Sequence, residues 1–259
     1  FFERDGIKVM VGHKTAAFKQ HGDRRVAVLE HAGGSFEVEF DEVLIAVGRK
    51  ARDDTPGMDV LGLERGRGGT LEVDAHLRTK YPNIFACGDI VGPYQFTHVA
   101  AHQAWYAAVN ALFGVVKKFK VDYRVIPWAT FTDPEVARVG LSETEAQQQD
   151  IPYEVTRFGI DDLDRAIADG EAHGFVKVLT VPGKDTILGV TIVGYDAGNI
   201  IAEYVTAMKY KLGLNKILGT IHIYPTLTEA NKYAAGEWKR AHAPEGLLNW
   251  VSRFHAWRR

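Results

Sequence analysis

Residues 83–89 read Asn83-Ile84-Phe85-Ala86-Cys87-Gly88-Asp89, an apolar run that ends on a glycine and a carboxylate. Its apolar part, Ile84–Cys87, is expected to form a strand buried on both faces. Open α/β sheets place their ligands at the carboxyl ends of such strands, which makes Gly88-Asp89 a candidate contact. A loop with Gly92-Pro93 follows, and from His98 to about Phe113 the apolar spacing is helical. Thr97 is the expected N-cap and Gly114 stands past the end.

Outward from this stretch, the same reading applies to Val43-Leu44-Ile45-Ala46-Val47, which ends at Gly48-Arg49. Ile7–Val11, Arg25–His31 and Ser35–Phe40 read as further strands, with hairpin turns at Gly22-Asp23 and Gly33-Gly34. A glycine-rich connection from Gly62 to Gly69 leads to a short expected strand at Thr70–Val73.

The texture changes from about Asp122. Five strands are expected at Ile126–Phe131, Val136–Gly140, Tyr153–Phe158, Gly174–Thr180 and Ile187–Val193. Between them lie a helix at Ser142–Gln149, opened by a Ser142/Glu145 capping box, and a turn at Pro182-Gly183. Helices at Asn199–Tyr210 and Leu227–His242 close the pattern. Strands followed by helices indicate an α+β domain, an antiparallel sheet with helices on one face.

Composition excludes some classes. Net charge is −2 and no basic block runs through most of the chain, which argues against a nucleic-acid partner. No apolar run approaches the ~20 residues that cross a bilayer, and no signal-peptide pattern is present. Cys87 is the single cysteine, so no intrachain disulfide forms and a reducing cytoplasmic setting is expected. The chain opens on Phe1-Phe2 without methionine and reads as a piece of something longer.

Four segments, in order, carry a resemblance. Leu44–Arg49, Asn83–Asp89, Thr132-Asp133-Pro134-Glu135-Val136-Ala137-Arg138-Val139-Gly140 and Tyr224-Pro225-Thr226-Leu227-Thr228-Glu229-Ala230 resemble signatures of the pyridine nucleotide-disulfide oxidoreductases, the flavoprotein disulfide reductases. The resemblance runs from about residue 5 to 236. It implies that residues 1–48 are the end of an NAD(P)-binding domain and 49–123 a segment of an FAD-binding domain. Residues 124–236 would be the dimerisation domain, and 237–259 an added tail. The implied parent is an FAD-dependent NAD(P)H oxidoreductase, homodimeric through 124–236, that passes electrons to a small-molecule acceptor. This chain would be its C-terminal part, with FAD and NAD(P)H incompletely bound or absent.

The resemblance also implies roles. Asp89 would hold the ribityl chain of FAD, with Gly88 letting the backbone come close. Gln95, Phe96, Thr97 and His98 open the helix that would sit under the electron-rich edge of the flavin, where a helix N-terminus favours negative charge. Gly48 would lie by the nicotinamide nucleotide, or serve only the tight exit from its strand. The G-x-G-x-x-G fingerprint is absent, so the main nucleotide phosphate site lies elsewhere. His98 and His102 have a zinc-pair spacing without a third ligand in the motif, and no metal site is expected.

Tyr224 is a departure. The lipoamide and glutathione reductases of the family carry a histidine before this proline as general acid and base, with a glutamate, here Glu229, to orient it. A phenol titrates near ~10 and is a poor base at neutral pH. His222, two residues earlier, should point away from Tyr224 in an extended segment. The mercuric-reductase-like branch also lacks the histidine, and the chain resembles that branch most; Tyr224 as simple packing at the dimer interface stays an equal reading. Other readings are a non-catalytic dimerisation module, a dihydrolipoamide-dehydrogenase-like parent, and an NADH oxidase or quinone reductase.

The tail from Pro244 to Arg259 reads as a basic amphipathic helix. Leu247, Leu248, Trp250, Val251, Phe254 and Trp257 accompany Arg253, Arg258 and Arg259. It can dock on the body of the protein or lie on a membrane surface.

Overall fold

In the computed structural model, which describes residues 1–52, 57–63 and 65–258, the chain divides into two units, Phe1–Pro56 and Gly57–Arg259.

The first unit is an antiparallel sheet of β1 (Lys14–His21), β2 (Arg24–His31) and β3 (Gly34–Glu39), in that order. His21 pairs with Arg24 around the expected Gly22-Asp23 turn. Ile7–Val11 is not a strand; the partner of β2 is the more polar Lys14–His21, because pairing along a neighbour's edge rather than local apolarity decides what is a strand. Val43–Val47 is not a buried strand either, with Leu44 90% and Val47 92% exposed. A strand buried on both faces needs neighbours for its backbone groups and covering layers for its side chains. Among the described residues no strand pairs with it.

The same reason applies in the second unit. Among the described residues, Thr70–Val73 and Ile84–Cys87 form isolated bridges, Arg65 with Leu71 and Arg78 with Phe85, and no strand. After the short α1 (Met58–Leu61) comes α2 (Thr97–Phe113), which buries Val99, Gln103, Ala107 and Asn110 along one face. Thr97 is its first residue and not its cap; Phe96 holds the N-cap position in extended conformation, its ring stacked with His98 at 5.3 Å and with Trp128 at 5.9 Å. Asn110 binds the carbonyls of His76 and Phe119 and the amide of Phe119, fixing the chain on both sides of the helix.

All five expected strands of the remaining region form: β4 (Pro127–Thr130), β5 (Glu135–Gly140), β6 (Glu154–Gly159), β7 (Phe175–Thr180) and β8 (Ile187–Gly194). They make one antiparallel sheet of order β4-β5-β8-β7-β6. Alternate residues on three central strands, Ala137 and Val139, Val176 and Val178, Val190 and Ile192, face one core. Residues of α4 (Asp164–Asp169), α5 (Ala197–Ile200), α6 (Ala202–Lys209), α7 (Leu214–Leu218) and α8 (Glu229–Ala241) complete it. Gly140 pairs with Gly189 in register, and a Cβ at Gly189 would fall on the backbone of Leu141, so the strand exit there requires glycine.

The capping box of α3 (Glu143–Gln148) forms as expected, Ser142 and Glu145 serving each other's backbone amides. Lys177 and Arg138, on the face opposite the core, tie α3 there by ion pairs to Glu143 and Glu145. The helix expected at Asn199–Tyr210 begins earlier and is read as α5 and α6 joined at Ile201; α4 and α7 were not visible in the sequence, being short and without the side-chain cap that marks α3. A last helix, α9 (Glu245–Trp257), ends the chain.

Candidate functional site

Two groups of predicted residues fall in the second unit. The first surrounds Gly88. Its φ is +82°, in the left-handed region that favours glycine, and a Cβ there would meet the Ala100 side chain of α2 at 3.4 Å. Glycine therefore both makes the turn and lets the loop lie close to the helix. Val91 donates its amide to the Gly88 carbonyl, closing the turn that carries Asp89. Asp89 is half-buried, and its carboxylate has no hydrogen-bond or ion-pair partner among the described residues.

Gln103 is the residue that sequence reasoning missed. It is fully buried, its Oε1 accepts the Gly88 amide at 2.6 Å, and its Nε2 donates to the Gly92 carbonyl and the Tyr123 hydroxyl. The available signal was a polar side chain, like Asn110 two turns on, at the helical spacing of the buried face that Val99 and Ala107 share. Burial pushes the Tyr123 phenol up, partly offset by its bond to Gln103.

The start of α2 presents the free amides of its first turn, which have no intrahelical acceptor. Tyr94, Phe96 and His98 stack beside it, and His98 Nε2 lies 2.8 Å from the Pro127 carbonyl. Trp128 continues the stack, and the guanidinium of Arg138 lies 4.5 Å over its ring. A cavity of about 330 Å³ opens next to His98, between Trp128, Phe131, Glu135 and Asn199. Gln95 is half-buried and Thr97 exposed. The structure thus brings Gly88, Asp89 and the helix start at Phe96, Thr97 and His98 onto one loop-helix corner. Half-buried Cys87 adjoins it as a free thiol.

The second group lies before α8. Tyr224 is 65% exposed, and its hydroxyl donates to Asp164 Oδ2 at 2.7 Å. That bond, then the charge of Asp164 itself, raises the phenol above its ordinary range. The Tyr224-Pro225 bond is cis, as are Gly92-Pro93 and Asp133-Pro134. Glu229 is 5% exposed and accepts the Thr226 amide at 3.1 Å, so it holds the turn backbone and makes no bond to the Tyr224 hydroxyl. His222 points away from Tyr224 as the extended reading requires, with its Nε2 3.0 Å from Glu203, which also accepts from the buried Asn231. Asp164 and Glu203 had no signal in the sequence, since they reach the turn from separate helices.

Gly48 lies in the first unit, with φ of +137° and open space where a Cβ would stand.

Residues 126–235 match the model of the pyridine nucleotide-disulphide oxidoreductase dimerisation domain, and residues 1–104 that of pyridine nucleotide-disulphide oxidoreductase. The chain belongs to the pyridine nucleotide-disulphide oxidoreductase family. It is 39% identical over 229 residues to a dihydrolipoyl dehydrogenase of Chlamydia muridarum, covering 88% of this chain and 48% of that one. A dihydrolipoyl dehydrogenase of Thermus scotoductus is 34% identical over 235 residues, covering 90% and 50%. Crystalline LpdA of Mycobacterium tuberculosis superposes with a TM-score of 0.80 at 25% identity, over 90% of this chain and 50% of that one. The HOCl-induced flavoprotein disulfide reductase RclA of Escherichia coli, at 22% identity and a TM-score of 0.79 over 90% and 53%, shares the fold. The chain spans about half the length of the curated relatives it matches.

Proposed function

We propose that this chain supplies the dimerisation domain and part of the flavin site of a homodimeric FAD-dependent NAD(P)H oxidoreductase of the mercuric-reductase-like branch. When bound, the flavin would accept electrons from the nicotinamide and pass them to a small-molecule acceptor. The corner at Gly88 fits such a group: a close-approach glycine, an unpartnered carboxylate for sugar-like hydroxyls, and a helix N-terminus for an electron-rich edge. Asp89 and Gly88 would hold the ribityl side, and Gln95, Phe96, Thr97 and His98 the ring edge. Gly48 would lie by the nicotinamide. Exposed Phe131, Ile221 and Ile223 support a second copy packing on the dimerisation domain.

The observation that carries the acceptor assignment is Tyr224. In the position where lipoamide and glutathione reductases are expected to present a histidine stands an exposed phenol, already donating to Asp164, while His222 is bound inward to Glu203. No imidazole is left at this turn to serve a dithiol as base. The reading is tested by assaying the complete flavoenzyme with dihydrolipoamide and with electron acceptors that take up no proton, such as soft metal ions. Turnover of dihydrolipoamide faster than of those acceptors would overturn it. The rival reading, a dihydrolipoyl dehydrogenase, draws support from the names and the 34–39% identity of the relatives.

A second reading concerns α9, which lies beyond the matched dimerisation domain. No helix among the described residues is long and apolar enough to cross a membrane. Trp250, Phe254 and Trp257 nevertheless form an exposed aromatic series, with the guanidinium of Arg258 over the Phe254 ring. Five Lys or Arg against two Glu from residue 237 onward make this end basic in a chain of net charge −2. Such a helix suits the surface of an anionic bilayer.

A further inference from the structure

Three restraints meet at the turn that carries Tyr224, and they divide the work. Behind the turn, the His222 side chain is 6% exposed and bound to Glu203 of α6. Ahead of it, Glu229 holds the Thr226 amide. The hydroxyl of Thr226 bonds the Ile223 carbonyl at 2.6 Å, which closes the backbone between them. None of these contacts fixes the ring of Tyr224. An exposed aromatic side chain with no polar tether samples several rotamers, and ordering it costs conformational entropy. Among the described residues, the hydrogen bond made by its hydroxyl reaches across to Asp164, at the start of α4.

We propose that Asp164 is a positioning residue for Tyr224, fixing the orientation of the ring where it faces the acceptor. That Tyr224 faces the acceptor rests on the function proposed above; that Asp164 holds it rests on the geometry alone. With its proton committed to the carboxylate, the phenol offers outward only oxygen lone pairs and the ring face. Tyr224 then shapes the acceptor site and receives no proton from substrate.

The surroundings push in the same direction. Besides Asp164, the groups acting on Tyr224 are Glu229 and Tyr233, and Tyr233 is itself acted on by Glu229, Asp164 and Asp162. The nearest cation on α4, Arg165, is engaged by Asp169 at 2.6 Å. Negative groups around a phenol disfavour phenolate, so it stays neutral above the ordinary tyrosine range.

The test is a pH titration of the 259-residue chain labelled at tyrosine Cζ, with the Tyr224 resonance assigned by its loss in Tyr224→Phe. Tyr224 is expected to ionise above ~10, the value of free tyrosine. Asp164→Asn should bring its midpoint back toward that value, and Asp164→Glu should keep it raised. An unchanged midpoint in Asp164→Asn, or one at the free value in the parent chain, overturns the proposal. In the complete flavoenzyme, Asp164→Asn should also move the alkaline limb of kcat/KM for the acceptor to lower pH, leaving reduction by the nicotinamide unchanged. If the titration shifts and the kinetic limb does not, Asp164 holds Tyr224 but the ring does not face the acceptor, and the function reading fails instead.

Discussion

The backbone amide of Gly88 donates to the buried side-chain oxygen of Gln103 across 2.6 Å, and the amide of the same side chain reaches the Gly92 carbonyl at 3.1 Å and the Tyr123 hydroxyl at 2.6 Å. One side chain therefore braces both ends of the Gly88–Gly92 loop and the segment that leads into β4. The proposed flavin contacts at Gly88 and Asp89 depend for their position on a residue that makes no contact of its own outside the fold.

Replacing Gln103 with leucine keeps the volume and removes all three bonds. The Gly88 amide and Gly92 carbonyl would then lie in the interior without partners, a cost of about 1–3 kcal/mol for each group left unsatisfied. We expect a clearly lower unfolding midpoint for Gln103→Leu and faster amide exchange at Gly88. A midpoint within error of the parent would mean that water or a loop shift replaces the side chain.

How far the sequence reveals this fold depends on where each element finds its partners. The five strands β4 to β8 were legible because they are rich in β-branched and aromatic residues between turn signals and all their partners lie within the chain. Val43–Val47 and Ile84–Cys87 have the composition of buried strands, but among the described residues no strand pairs with either. Apolarity states a requirement for neighbours, and only the fold shows whether these are present. At the candidate site, Tyr224 and Glu229 were singled out through motif order, and the α2 start through helical spacing. Gln103, Asp164 and Glu203 act from separate helices across gaps that no local pattern spans.

Acid should weaken the α3 end of the dimerisation domain. Burial alone would raise the Glu145 carboxyl, but bonds from the Ser142 amide, Arg138 and the Ser142 hydroxyl outweigh it and hold the group below its ordinary range. A carboxylate depressed in the folded state stabilises above its unfolded value of ~4.3 and loses that contribution as pH falls through the folded value. Its side chain is 39% exposed, so screening limits the effect to roughly 1 kcal/mol. Asp122, held far below the usual carboxylate range by Arg124 and then Lys209, contributes with the same sign. Urea midpoints should therefore differ between the parent and Glu145→Gln at pH 7 and converge near pH 3. A constant gap across that range would show that Glu145 acts by shape rather than charge.

The tail helix gives the last prediction. Trp257 is 82% exposed and Trp250 62%, and α9 spans only 13 residues, fewer than the three or four heptads that sustain a coiled coil. Pairing of two such helices in water is therefore disfavoured, whereas an anionic bilayer offers burial for the aromatic rings and counter-charge for Arg253 and Arg258. The 259-residue chain should sediment with vesicles containing phosphatidylglycerol and not with pure phosphatidylcholine, and its tryptophan emission should shift to the blue on binding. Roughly 0.5 M salt should release much of it, because screening removes the attraction of the basic residues before the apolar contribution. Replacing Trp250 and Trp257 together with serine should abolish binding while leaving the unfolding midpoint of the sheet domain unchanged. Equal binding to both vesicle types, or none to either, would remove the membrane from the account and leave docking on the protein body as the role of α9.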